Sequence, residues 1–266
     1  GAEVTVVADS TASLAAFLTH KTESLIATSD NPDQITAQFD KLVEQGKMYH
    51  SSAGPASGAQ GCFMANTKPP FDNIKLRQAV NLALDRTAIG QVTFGNKAIE
   101  QLLFYNQGLE FATPKEQIWN IVPGWGTGEK KQQEIEQAKQ LVKDAGYPTG
   151  IDVLQIGRTT GWDSHTVYNE EAQRELTKVG IRTKFEFVDA VTFDSRLSGS
   201  AFQLNCYRYA LTTYDPDEIV GQYWITGATR NNFGYTNKEV DKLFLQMSSE
   251  SDPAKRKALF LQIQDI

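Results

Sequence analysis

Chemistry in this chain is concentrated between residues 188 and 235. Phe193, Arg196, Phe202, Tyr207, Arg208, Tyr209, Tyr214, Tyr223, Trp224, Phe233 and Tyr235 fall there. Within the span, Tyr207-Arg208-Tyr209 is followed by Thr212-Thr213-Tyr214-Asp215. Rings alternate with donors, and a ring that buries area while keeping a polar tip suits the wall of a small-molecule site. The same residues would serve as ordinary core, and residue chemistry alone leaves both readings open.

Other candidates point to structure rather than catalysis. The histidines are His20, His50 and His165; no two stand at the i, i+4 spacing of a helical zinc site, and no HExxH occurs. Gly54-Pro55-Ala56-Ser57-Gly58 has its serine one place late for a nucleophile elbow. Gly124-Trp125-Gly126-Thr127-Gly128 precedes a helix, but it lacks the preceding strand of a dinucleotide loop and the lysine of a phosphate loop, so a plain loop is expected. Asp215-Pro216-Asp217-Glu218 lacks the ligand spacing of a calcium loop; Asp215 or Asp217 is expected to cap a helix with Pro216 in its first turn. Cys62 and Cys206 are too few for a disulfide scaffold and too far apart for a zinc cluster. One long-range bridge between them is possible, and the sequence does not decide it. No metal or cofactor is expected.

The elements that must position these residues alternate between strand and helix. Val4–Val7 and Leu25–Ala27 read as strands, with helices at Ala12–Leu18 and Asp33–Glu44. A strand is expected over Gly61–Asn66, ended by Pro69-Pro70, then helices at Ile74–Leu84, capped by Asp72 or Asn73, and Thr87–Val92. Residues 95–128 read as loops with a short helix. Helices at Glu129–Ala145 and Asp163–Val179 each stop at a glycine, Gly146 and Gly180. Strands are expected at Ile151–Ile156, Ile181–Val188 and Phe202–Tyr209, and helices at Val191–Leu197, Glu218–Trp224, Asn237–Met247 and Pro253–Ile266. The last helix reaches Ile266 with no cap, glycine or proline, so the chain is expected to stop inside a longer protein. The 266 residues carry 26 basic and 32 acidic side chains, a net charge of −6, without the basic footprint of a nucleic-acid binder. No apolar run approaches a membrane span.

One stretch is specific. Phe63-Met64-Ala65-Asn66-Thr67-Lys68-Pro69-Pro70-Phe71-Asp72-Asn73, followed by Leu76-Arg77-Gln78-Ala79-Val80-Asn81-Leu82-Ala83-Leu84-Asp85-Arg86, resembles the signature of family 5 extracellular solute-binding proteins, the peptide, dipeptide and nickel receptors of ABC importers. Ala138 to Gly150, Glu175 to Ile181, Asp252 to Arg256 and Gln262 to Gln264 resemble later motifs of that family in the same order.

The resemblance implies an α/β fold with a mixed central sheet flanked by helices. It implies a single lobe over residues 1–266, lobe II of a class II periplasmic-binding-protein-like fold, with the first lobe outside this chain. It implies the non-enzymatic, monomeric substrate-binding component of an ABC importer, a periplasmic protein or cell-surface lipoprotein of a bacterium or archaeon. Such a protein closes on an oligopeptide, oligosaccharide or related polar solute and docks on a membrane permease. A catalytic domain, or a sensory or scaffold domain reusing the lobe, is the alternative. In relatives the segment matching Phe202 to Asp215 lines the cleft. Its aromatic position falls on Tyr209, and the acidic position of peptide receptors falls on Thr212 or Thr213, whose neutral hydroxyls supply no charge-assisted bond to an ammonium. Asp215 stands nearby in sequence to compensate. The ligand-binding set implied is Arg196, Tyr207, Tyr209, Thr212, Thr213, Tyr214, Asp215 and Trp224. Arg77 and Arg86 are expected to be structural anchors.

Overall fold

The computed structural model describes residues 10–23, 33–49, 58–94, 101–102, 105–106, 110–158, 163–210, 213 and 215–266. The strands expected at Val4–Val7 and Leu25–Ala27, and His50, lie outside the described residues. Contacts divide the chain into two units, one of residues 1–54 with 161–164, the other of residues 55–160 with 165–266.

In the first unit, helices α1 (Ser10–Leu18) and α2 (Asp33–Glu44) meet through Leu14 and Phe39, with Leu42 and Met48 packed alongside. The i, i+4 spacing of Ile35 and Phe39 made α2 legible at both ends.

The second unit is built on a four-stranded sheet in the order β1 (Gly58–Met64), β6 (Leu204–Ala210), β4 (Ile151–Arg158), β5 (Ile181–Val188). β1 runs antiparallel to β6, while β6, β4 and β5 are mutually parallel, so the sheet is mixed as expected. A separate two-stranded pair joins β2 (Gln101–Leu102) to β3 (Tyr105–Asn106). The remaining helices are α3 (Ile74–Ala83), α4 (Arg86–Phe94), α5 (Lys115–Ile121), α6 (Gly128–Asp144), α7 (Asp163–Lys178), α8 (Ala190–Ser198), α9 (Pro216–Ile219), α10 (Lys238–Ser249) and α11 (Pro253–Asp265). The helix expected over Glu218–Trp224 is instead the end of α9 continued by a π-helical turn, Val220–Trp224.

Side-chain alternation along each strand separates two cores, one on each face of the sheet. Phe63 and Ile156 face a core of Phe193, Val220, Tyr223 and Phe260. Val153, Ile181, Leu204 and Cys206 face one made with α3, α6 and α7. Asn73 caps α3 by accepting from the Lys75 N–H, and the Leu76, Ala79, Val80 and Ala83 stripe is sealed against the sheet side. Small Ala79 and Ala83 let α3 approach closely, and each buried Leu or Val contributes about 1.5–3 kcal/mol. Cys62 and Cys206, directly opposite one another on β1 and β6, form a disulfide.

Helix α6 holds what its polar sequence does not announce. Lys131 and Glu134 are both buried and paired at 2.7 Å. Lys131 Nζ donates to the carbonyls of Leu82, Leu84 and Gly124. Glu134 accepts from the N–H groups of Gly124 and Gly126, so the glycine-rich loop cradles the chain's own carboxylate. Arg86 donates to the carbonyls of Asn81 and Gly124 and to the Asn81 side chain, which makes it the anchor the resemblance implied. Gly124 has φ +85°, and a Cβ there would collide with the Asn81 carbonyl, so only glycine fits. Arg77 likewise donates to the carbonyls of Phe71 and Asp72.

Burial pushes the Glu134 carboxyl up, but bonds from Lys131, Gly124 and Gly126 outweigh it and hold the group below the usual carboxylate value. Hydrogen bonds from Arg256 hold Asp215 low as well. A carboxyl whose folded pKa is depressed binds fewer protons folded than unfolded, so its stabilisation is present above the unfolded pKa and disappears as pH falls through the folded one. Stability is therefore expected to be flat from neutrality down to roughly pH 5 and to fall steeply below about pH 4. Denaturant midpoints measured across that range check this; a midpoint that rises on acidification contradicts it.

Candidate functional site

The parallel strands β5, β4 and β6 all present their carboxyl ends at one edge of the sheet. In open α/β sheets that edge is where ligands bind. Arg158 ends β4 and is paired in register with Val188, the last residue of β5. Ile156 is in register with Asn205 on β6, so Arg158, Val188 and Tyr207 emerge on the same face. Tyr207 is half-buried and tilts against Phe193 on α8, with ring centroids 5.0 Å apart. Arg158 is also half-buried, and among the described residues its guanidinium has no carboxylate or carbonyl partner; its Nε is sealed from solvent without a bond. A fork-shaped cation left without an anion at a strand-end edge is equipped to take a planar carboxylate in two parallel bonds.

Two other cations of the described residues are engaged. Arg196, on α8, forms two bonds of 2.7 Å with both oxygens of Glu186 on β5. Those bonds hold the Glu186 carboxyl below its ordinary value and raise the Arg196 guanidinium. Arg256, on α11, forks onto Asp215 at 2.9 and 2.6 Å and also reaches Asp217 at 2.9 Å.

The remaining residues of the implied set separate clearly. Asp215 caps α9 by accepting from the Asp217 N–H, the role foreseen for it, and with Arg256 on its oxygens it is not an unpaired acid. Thr213 is exposed, and both its N–H and its hydroxyl donate to Glu218. Tyr209 sits in β6 opposite Ala59, its side chain outside the described residues, as are Thr212 and Tyr214 altogether. Trp224 is half-buried in the π-helical turn, edge-on to Tyr235 at 5.5 Å and tilted on Phe233 at 5.2 Å, with its buried Nε1 unbonded. The structure thus brings Tyr207, Glu186 and Arg196 to the face that carries Arg158. It places Thr213 and Asp215 beside Arg256, where they line an open depression of about 520 Å³ with Phe111 and Glu250.

Arg158 is absent from the set read from sequence. The signal for it is slight: the pattern predicts a strand ending at Ile156, which puts Gly157 and Arg158 beyond it. The observed strand runs two residues further. Among the described residues, no three His, Cys, Asp or Glu side chains gather in a way that would hold a metal ion.

Comparison with known proteins gives consistent matches. The bacterial extracellular solute-binding proteins, family 5 Middle, match residues 1–231. The glutathione-binding protein GsiB of Escherichia coli strain K12 is 26% identical over 240 residues, covering 85% of this chain and 43% of that protein. GsiB of Shigella dysenteriae matches to the same extent. Among solved structures, Haemophilus influenzae OppA in complex with the peptide RPPGFSPFR superposes with a TM-score of 0.74 at 19% identity, over 96% of this chain and 48% of that one. Helicobacter pylori DppA in complex with the peptide STSA gives 0.71 at 21% identity, over 97% and 47%. These two likenesses carry the fold. The chain spans less than half the length of the relatives it matches.

Proposed function

We propose a solute-capturing role on a premise those matches establish: the chain belongs to the bacterial extracellular solute-binding proteins of family 5. In this reading it is one lobe of the substrate-binding component of an ABC importer and works outside the cytoplasm. It closes with a second lobe, encoded beyond this chain, over a small solute that carries a carboxylate, a short peptide or a glutathione-like molecule. The loaded receptor, a monomer, then docks on a membrane permease. It performs no catalysis.

The observation that carries the reading is Arg158, a fork with no partner among the described residues, at the carboxyl ends of β4 and β5 with Tyr207 on the same face. Three further facts support it. GsiB is named for binding glutathione, and the OppA and DppA structures hold peptides. The Cys62–Cys206 bridge suits an oxidising compartment. Among the described residues no helix is long and apolar enough to cross a membrane.

Calorimetry on the intact gene product tests it, with glutathione and trialanine as probes, each as free acid and as C-terminal amide. Arg158→Met is expected to weaken binding of a free acid by about 10- to 100-fold, the worth of one charge-assisted bond. Arg158→Lys is expected to fall between, because an ammonium keeps the charge and loses the fork. The trialanine amide, which has no carboxylate left, should bind wild type and Arg158→Met alike. The melting temperature should barely move, since Arg158 holds no partner in the described fold. Equal affinity of wild type and Arg158→Met for every probe would sink the reading.

A further inference from the structure

Among the described residues Arg158 has no partner, although a carboxylate stands next to it in the sheet. Glu186 is in register with Ile156, and Arg158 with Val188, so Glu186 and Arg158 are diagonal neighbours on one face of adjacent strands. With strands about 4.8 Å apart and a rise of about 3.3 Å per residue, such neighbours on parallel strands lie roughly 8 Å apart, within reach of two long side chains. Left alone, Glu186 is the carboxylate the sheet places to pair with Arg158.

Arg196 prevents this. From α8 it occupies both Glu186 oxygens at 2.7 Å, in the two-bond geometry that a single competing cation displaces least readily. The helix that delivers it is fixed at both ends. Asp189 caps α8 through the Thr192 N–H, and Phe193 and Leu197 are buried beneath it. Asp189 itself bonds the Thr192 hydroxyl, so that carboxylate is also engaged.

We infer that Arg196 is a positioning residue for anion capture: by sequestering Glu186 it leaves the Arg158 guanidinium, charged in either case, free to pair with the solute's carboxylate. Arg196 itself does not touch the solute. This assigns it a different task from the direct contact expected from sequence, and it rests on the reading of Arg158 given above.

The test uses the intact gene product and glutathione, with Arg158→Met measured alongside. Arg196→Met is expected to weaken glutathione binding by about fivefold, the scale of one part-exposed ion pair, because Glu186 then turns to Arg158. Glu186→Gln/Arg196→Met should restore wild-type affinity, since no carboxylate remains to compete. Glu186→Gln alone should bind glutathione at least as tightly as wild type. Unchanged affinity in Arg196→Met overturns the inference, and so does a double variant as weak as the single one, which would make Arg196 a direct contact. A loss in Glu186→Gln overturns it as well, and that variant remains informative if Arg196→Met fails to fold. If Arg158→Met binds glutathione like wild type, the underlying reading fails instead, which separates the two outcomes.

Discussion

Removing the bridge between β1 and β6 is expected to cost the fold about 2–5 kcal/mol. Cys62→Ala/Cys206→Ala should melt lower than the oxidised protein by roughly 10 °C, given the usual ratio of stability to melting entropy at this size. Three facts argue for a loss at the upper part of the range. The cysteines are 144 residues apart, and closing so long a loop in the unfolded chain is worth about 5 kcal/mol in the loop-entropy account. Among the described residues β1 is an edge strand paired with β6 alone, so there the β6 ladder is what holds it when the bridge is gone. Cys206 is also part of the core shared with α3 and α7, so truncation leaves unfilled volume there. The check is a pair of melts with and without a thiol reductant. Wild type should lose stability on reduction, and the alanine variant should be indifferent to the reductant. Identical midpoints for all four samples would show that the ladder alone holds β1.

Much of this architecture was legible because local pattern and tertiary environment agree. β5 alternates apolar and charged residues, and it buries Ile181 and Thr183 while exposing Arg182 and Lys184. Helices α6 and α7 stop where the glycines said they would, with Gly146 at φ +100° and Gly180 at φ +88°. Asn73 and Asp215 cap the helices assigned to them. What the sequence hid is what depends on distant partners. Nothing in the sequence sets Lys131 and Glu134 apart from the other charges of α6, because the carbonyls that receive Lys131 come from another segment altogether. The Cys62–Cys206 pairing follows from the register of strands far apart in the chain. Arg196 looked like a ligand-facing fork because nothing local reveals that Glu186 lies across from it. Arg158 was missed for the opposite reason: its interest lies in lacking a partner, and no spacing rule detects that. The four-stranded sheet and most of the helices packed on it were therefore readable in outline, the β2–β3 pair and the π-helical turn were not, and the candidate site was readable only in its neighbourhood.

The second large effect is expected at Glu134. Glu134→Ala should destabilise the protein by about 3–5 kcal/mol, the usual cost of stranding one member of a buried ion pair. The side chain is only 7% exposed and that of Lys131 3%, so water cannot replace the lost carboxylate. Three donors lose their acceptor at once: the Lys131 ammonium and the Gly124 and Gly126 N–H groups. The Gly124 loop cannot rotate away to find water, because its backbone is clamped from the other side by Arg86 and Asn81. Burial already lowers the pKa of Lys131 against the pull of Glu134, and without the carboxylate that pull is gone. Removing the charge as well as its partner should help. Lys131→Met/Glu134→Leu is expected to be about 2 kcal/mol more stable than Glu134→Ala, since no buried ion remains and the apolar stems fill the space. Recovery stays incomplete, because the two glycine N–H groups are still unbonded and the carbonyls of Leu82, Leu84 and Gly124 lose the Lys131 ammonium. Denaturant unfolding of wild type, the single variant and the double variant measures both steps. A single variant within 1 kcal/mol of wild type, the range of exposed ion pairs, would mean that water enters beneath the Gly124 loop and that the buried pair does not hold it.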